Sequence, residues 1–435
     1  MKLSKLWNCE DPPAWKTKYP FGIDYLLRAR DADKKKLFPA ELIQRTHDIG
    51  ANTYSVTIFG VKMYFTADQE NIKAMLALQF KDFDLGPQRR GNFWPLLGSG
   101  IFTLDGTGWE RSRAMLRPQF ARDQISNLEL EECHVQNMMR ALDRHLSESN
   151  KRSIEDVDLQ ELFFRLTLDS ATEFLFGKSV DSQITLLEGE QNHYEKQDHQ
   201  NSTLAGAFAH AFDEAQKVLS LRARLGDNYW LISPKGFKEH CQTCHKFIDH
   251  FVHLALNGEL SEKSTGSGEK YVFLNALVAE TRDPIELRSQ LLNVLLAGRD
   301  TTASLLSWLF YLISKDSTRY KKLRDCIIDQ FGTYLEPTNI TFSSIKTCQY
   351  LQHCINEALR LYPVVPLNAR IANKDTTLPR GGGRDGKSKI FIAKGTIVDY
   401  SVFAMHHRKD IWGEDADEFI PERWQGKKVG WEYLP

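Results

Sequence analysis

Residues 293–310 read NVLLAGRDTTASLLSWLF. Leu291, Leu292, Val294, Leu295 and Leu296 precede the centre of this run, and Leu305, Leu306, Trp308, Leu309 and Leu312 follow it. The spacing predicts one long helix that is apolar over most of its surface and therefore buried. Asp283 suits the N-cap, Pro284 the first helical position, and Glu286 stands where a capping box would place it. The pattern lasts to Lys315, a helix of about 32 residues and about 48 Å. Arg299 and Asp300 at its centre exclude a membrane span, because charge there is costly in lipid. The centre is Ala297-Gly298-Arg299-Asp300-Thr301-Thr302. A glycine and two hydroxyls in mid-helix break local propensity, as functional sites do. A kink or a satisfied polar contact is the competing account of the same residues.

Around this helix the chain reads as mainly helical with small β-sheets, an α+β pattern. YSVTIFGVKMYFT (54–66) alternates around a glycine and predicts a hairpin. Residues 68–78 suit a short helix. DFDLGPQRRGNFWPLLGSGIFTLDGT (82–107) is rich in Gly, Pro and aromatics and predicts a long functional loop. From Trp109 to Lys178 the patterning is helical. Polar stretches at 187–203 and 257–270 suit surface loops. A helix over 343–361 puts Glu357 and Arg360 on one face, and Tyr362-Pro363 stops it. Short strands follow over 375–403, with turns at GGGRDG (381–386) and Lys394-Gly395. No repeat and no linker divides the chain, which suggests one domain over 1–435.

Composition narrows the function classes. The 435 residues carry 56 Lys and Arg against 57 Asp and Glu, a net charge of −1, which argues against a nucleic-acid binder. Seven scattered cysteines suit a reduced compartment and not a disulfide framework. The N-terminal MKLSKLWNCEDPPAWKTKYP has neither a signal peptide's apolar core nor a membrane anchor.

Four motifs in order resemble the cytochrome P450 family of haem-thiolate monooxygenases. They are Trp109–Arg113, the AGRDTT of 297–302, Glu357–Arg360, and Pro421-Glu422-Arg423-Trp424. Each is weak alone; a second Glu-x-x-Arg occurs at Glu110–Arg113. GWERSRAMLRPQFAR (108–122), TEFLFGKSV (172–180) and NEALRLYPVVPLNAR (356–370) look like the fungal group that hydroxylates n-alkanes and fatty acids.

The resemblance implies haem b as cofactor. Trp109, Arg113 and Arg370 would then meet the haem propionates, although any single arginine also suits a surface charge. Gly298 would leave room at the haem face. Asp300 and Thr301 would organise proton delivery. Glu357, Arg360 and Arg423 would form a buried structural network. Phe93, Trp94, Leu96, Leu97, Leu296 and Val365 would line an apolar tunnel for a long alkyl chain. Arg89 or Arg90 would meet a fatty-acid carboxylate or simply be solvated. The resemblance further implies insertion of one oxygen atom of O2 into a C–H bond of a long-chain alkane or fatty acid. Its electrons would come from NADPH through NADPH–cytochrome P450 reductase. The family's location is the cytosolic face of the endoplasmic reticulum membrane; without an anchor this chain would be cytoplasmic.

The family's axial cysteine sits in a loop Phe-x-x-Gly-x-Arg-x-Cys-x-Gly. None of the seven cysteines has that context, and the sequence stops at Pro435, where the loop would begin. The expectation is a fragment, an incomplete gene model or a degenerate gene. The alternative function is an inactive remnant without haem. Cys241-Gln-Thr-Cys244-His245 matches the C-x-x-C-H attachment signature of c-type haem, but its surroundings read as a continuous helix. GGGRDG is not a phosphate loop, since strands flank it and no helix begins after it.

Overall fold

The hairpin forms as its pattern predicts. β1 (Thr53–Ile58) pairs antiparallel with β2 (Val61–Thr66), and Phe59 and Gly60 both take positive φ, 48° and 83°, in the two-residue turn. The remaining strands are β3 (Phe83–Asp84), β4 (Asn368–Ala372), β5 (Thr376–Gly382), β6 (Ser388–Ile392) and β7 (Ile397–Tyr400). One sheet runs β1-β2-β7-β4-β3, with β7 parallel to β2 and antiparallel to β4. β5 and β6 make a separate hairpin across the GGGRDG turn.

The computed structural model describes residues 2–121, 126–149, 157–184, 199–260 and 271–435. These fall into two compact units. One holds the chain up to Gly86, Trp308–Thr338 and Lys346–Pro435; the other holds Pro87–Ser307 and Asn339–Ile345. The first contains both sheets, cored by Tyr54, Phe65, Ile72, Met75, Leu378, Ile390 and Val398. The second is helical, cored by Leu96, Leu97, Phe176, Phe208, Phe212, Phe247 and Leu295.

Helix boundaries follow side-chain chemistry. Asp68 caps Gln69–Lys73 through the backbone N–H groups of Glu70 and Asn71, and Asp158 caps Leu159–Phe176 in the same way. The long helix spans Pro284–Ser314, with Asp283 accepting from the Ile285 N–H at 2.9 Å. The capping box does not form. Glu286 is drawn instead to Arg111 at 2.8 and 3.0 Å and to Thr281 at 2.7 Å. A charge-assisted pair outcompetes a single backbone N–H.

Three expectations need correction. Residues 82–107 are not a continuous loop: Pro87–Leu97 is helical. Pro95 lies inside that helix and leaves the Gly91 carbonyl without its usual partner; Arg222 donates to it at 3.4 Å. The helix over 343–361 is two, Phe342–Thr347 and Gln349–Leu361, parted at Cys348, whose ψ of 85° is not helical. The loop at 187–203 begins outside the described residues (187–198), and 199–203 open a helix, His199–Arg224. Residues 261–270 of the second polar stretch also lie outside the described residues.

Candidate active site

The helical unit builds its site on residues 284–307 of the long helix. Polar residues interrupt the apolar run one turn before the AGRDTT centre, and each is spent on holding a neighbour. Ser112 donates to Gln290 at 2.7 Å, both buried. Asn293 is fully buried; its amide donates to the Leu97 and Ser289 carbonyls, and its oxygen accepts from the Phe102 N–H at 3.0 Å. A Cβ on Gly100 would lie 2.3 Å from the Asn293 amide nitrogen, so only glycine lets the loop approach so closely. Sequence reasoning missed Gln290 and Asn293. Their signal was available: two amides inside an apolar helix must find partners.

These bonds fix the segment 98–103 and the helix Gly106–Leu116, which carries Trp109 and Arg113. The Arg113 guanidinium lies 5.3 Å from the Trp109 ring centre. Arg113 also lines a cavity of about 480 Å³ with Ile101, Phe102, Leu116, Phe120 and Ala297. A second cavity, about 410 Å³, is lined by Phe120, Leu166, Phe174, Val294, Gly298, Thr302 and Leu306 among others. A Cβ on Gly298 would meet nothing within 4 Å.

Thr301 donates its hydroxyl to the Ala297 carbonyl at 2.6 Å, which leaves the oxygen's lone pairs free to accept. Asp300 is half-buried. Burial raises its carboxyl to a pKa of about 6; Asp213 adds to the rise, while Arg299 and a hydrogen bond from Gln216 oppose it. Arg299, 4% exposed, pairs with Asp213 at 2.5 Å and lies over the rings of Phe164 and Phe212. The sequence marks Arg299 only as a charge that excludes a membrane span; its pairing with Asp213 joins residues 86 apart and leaves no local pattern.

The apolar residues expected to line a tunnel are placed differently from one another. Leu96 and Leu97 are fully buried in the helical core, and Phe93 and Leu296 pack against it. Trp94 is 41% exposed beneath the Arg90 guanidinium, and Arg89 lies over Phe93. None of these lines either cavity. In the sheet-containing unit Val365 is exposed, and Arg370 bonds the Ala369 carbonyl at 2.8 Å and faces the Tyr400 ring.

That unit brings Glu357, Arg360 and Arg423 together. The Glu357 carboxylate accepts from Arg360 Nε and an Arg360 terminal nitrogen, both at 2.8 Å. It also accepts from the Ile420 N–H, Arg423 Nε and the Trp424 indole at 2.8–2.9 Å. Burial alone would raise the Glu357 pKa, but these donors hold it below the ordinary value. Arg360 spends its remaining donors on the carbonyls of His406, Ala416 and Glu418.

His406 completes the network. Leu434 N–H donates to its Nε2, so the proton sits on Nδ1 and goes to the Arg360 carbonyl at 3.0 Å. Burial, aided by the nearby Arg360 charge, pushes its pKa down to about 3. The unfolded chain protonates this imidazole near 6.5 while the folded chain keeps it neutral. Stability contributed by His406 is therefore present above about pH 6.5 and lost toward pH 3, by up to about 1.4 kcal/mol per pH unit. Urea midpoints measured at pH 7.5 and 5 should differ less in His406→Gln than in the parent chain. Equal differences would remove His406 from this account.

Cys241, Cys244 and His245 lie in the continuous helix Phe237–Leu256. Both thiols are buried in the apolar core, which pushes Cys241 up to about 12 and Cys244 higher still. His245 bonds the Leu96 carbonyl at 2.9 Å. Among the described residues no cluster of metal-ligating side chains occurs, and no helix is long and apolar enough to cross a membrane.

A continuous long helix with Gly-x-Asp-Thr-Thr at its centre, an arginine on an adjoining cavity and a Glu-Arg-Arg-Trp network are the features of a class of helix-rich oxygenase folds. The family model described as Cytochrome P450 matches residues 23–435, and the chain belongs to that family. It is 56% identical to cytochrome P450 monooxygenase g430 of a Fusarium species, over 98% of this chain and 74% of the relative. It is 48% identical to cytochrome P450 52A5 of Candida maltosa (96% and 78%) and 45% to cytochrome P450 52A12 of Debaryomyces hansenii (100% and 82%).

The described residues fit the family's haem on its open face. Gly298 presents no side chain to its cavity, and Arg113 offers a cation on the adjoining one. None of the seven cysteines lines either cavity, so no axial thiolate is assigned to a residue of this chain.

Proposed function

We propose that this chain is a haem-dependent monooxygenase that inserts one oxygen atom of O2 into a C–H bond of a long-chain alkane or fatty acid. Its electrons come from NADPH through a flavoprotein reductase on the cytosolic face of the endoplasmic reticulum. One domain spans both units; a single family model running across them supports that reading. The observation that carries the function is Asp300, a half-buried carboxyl whose pKa burial raises to about 6, next to Thr301 and two residues after Gly298, which lines a mainly apolar cavity.

Haem, when bound, supplies dioxygen binding and activation. In the helical unit Trp109 and Arg113 would hold its propionates through charge-assisted hydrogen bonds. Gly298 would leave its cavity free of a side chain where that chemistry takes place. Asp300 holds a proton on its carboxyl at mildly acidic pH and releases it as pH rises through 6, which suits repeated relay. The Thr301 oxygen accepts the hydrogen bond that passes the proton inward. The alkyl chain is bound by burial of apolar area, about 0.8 kcal/mol per methylene.

The test is a carbon-monoxide difference spectrum of the reduced protein, followed by product analysis with a C12–C18 fatty acid and an n-alkane. A haem-thiolate spectrum with hydroxylated product supports this function. Absence of haem from well-folded protein favours the inactive remnant.

A further inference from the structure

The sheet-containing unit holds a thiol pair that plays no part in the proposed oxygenation. Cys326 lies on the helix Ser317–Phe331, and Cys348 precedes the helix Gln349–Leu361. Their sulfur atoms are 3.6 Å apart. The backbone N–H of Tyr350, in the first turn of the second helix, donates to the Cys326 sulfur. The two helices are held beside each other by contacts that do not involve sulfur. Lys322 lies over the Tyr350 ring at 4.2 Å, and both Lys322 and Tyr350 bond Glu422. A sulfur–sulfur bond of about 2.0 Å requires the two sulfurs, now 3.6 Å apart, to close within this helix pair.

Access is one-sided. Cys348 is fully buried, whereas Cys326 is partly exposed and borders a surface groove with Lys321, Lys322, Asp325 and Asp329. Both charge signs are present there, which suits a zwitterionic thiol peptide.

We propose that Cys326 and Cys348 form a redox-active pair that closes into a disulfide by exchange with a small peptide disulfide of the glutathione class. The Cys326 thiolate attacks one sulfur of the oxidant, breaking its S–S bond and releasing one glutathione thiolate. Cys348, deprotonated, then attacks the Cys326 sulfur of the mixed disulfide and releases the second. Two protein thiols are oxidised, one glutathione disulfide is reduced to two glutathione molecules, and the two protons go to the departing thiolates. Burial, followed by the neighbouring Cys348 sulfur, keeps the Cys326 thiol above its ordinary pKa, so the exchange is faster in mild alkali.

The full chain is incubated with glutathione disulfide at pH 8, its remaining thiols are blocked with iodoacetamide under denaturing conditions, and tryptic peptides are sequenced by mass spectrometry. The expected product links peptide 325–346 to peptide 347–360 through Cys348, with Cys354 carrying the block. In Cys133→Ser, which lacks the exposed thiol, the titratable thiol count falls by two. Cys348→Ala should stop at glutathione on Cys326, and Cys133→Ser should leave the link unchanged. A link through Cys354, a mixed disulfide that persists on Cys326 in the parent chain, or no modification of Cys326 would each overturn the proposal.

Discussion

Glu357→Gln is expected to destabilise the chain by about 3–5 kcal/mol, the range for breaking a buried ion pair from one side. Five N–H donors converge on this carboxylate from Arg360, Ile420, Arg423 and Trp424. Glutamine keeps one acceptor oxygen and turns its amide N–H groups toward donors that need an acceptor. Arg360 is then a guanidinium at zero exposure that has lost its counter-charge. Its three carbonyl contacts leave the charge uncompensated. Glu422→Gln is the comparator, because Glu422 is part-exposed and pairs with Lys322, and such pairs are worth about 0–1 kcal/mol. Urea unfolding of both variants separates the cases. A loss below about 1 kcal/mol in Glu357→Gln would mean that the network contributes little to stability. Arg360→Lys should approach the Glu357 effect, since an ammonium has three N–H donors where this site uses all five of a guanidinium.

Why these residues were legible in the sequence, and others not, has a physical reason. Glu357 and Arg360 are three apart on a helix, and their pairing follows from helical geometry. The helix Pro284–Ser314 was legible because its apolar run is long and its start is marked by Asp283 and Pro284. The helix Pro87–Leu97 was hidden because Gly91 and Pro95 are poor helix residues. It forms because Arg222 serves the carbonyl that Pro95 cannot and because Gly91 packs where a Cβ would clash with Tyr229. Both partners are more than 100 residues away, beyond any local pattern. Asn293 lay in plain view inside the quoted stretch, yet its role depends on Gly100 and Phe102 crossing it. For Leu96 and Leu97, an apolar pair in a glycine-rich segment suits a tunnel wall, and both are buried in the helical core at zero exposure. Apolar character fixes burial and not the side of a wall on which a residue lies.

Asp300→Asn is expected to lower turnover of the haem-loaded enzyme by about 100-fold, at the lower end of what a positioned general acid contributes. The carboxyl sits on the side of the helix toward Arg299 and Asp213, where burial lifts its pKa to about 6 and the Arg299 charge restrains the rise. It therefore carries a proton below about pH 6 and is ionised above. A rate that depends on its protonated form should fall as pH rises through that value, and the asparagine variant should lose this inflection. Thr301→Ala removes the hydroxyl that now bonds the Ala297 carbonyl, and should leave NADPH consumption running while product yield drops. Stability moves the other way. Because the folded pKa lies above the unfolded value near 3.9, ionising Asp300 costs folding energy between roughly pH 4 and 6 and above, a cost asparagine does not carry. Asp300→Asn should thus be no less stable than the parent at pH 8 while being far slower, a combination that misfolding cannot produce. A variant that is slow and also unstable, or one whose pH profile keeps the inflection near 6, would assign the proton to another group.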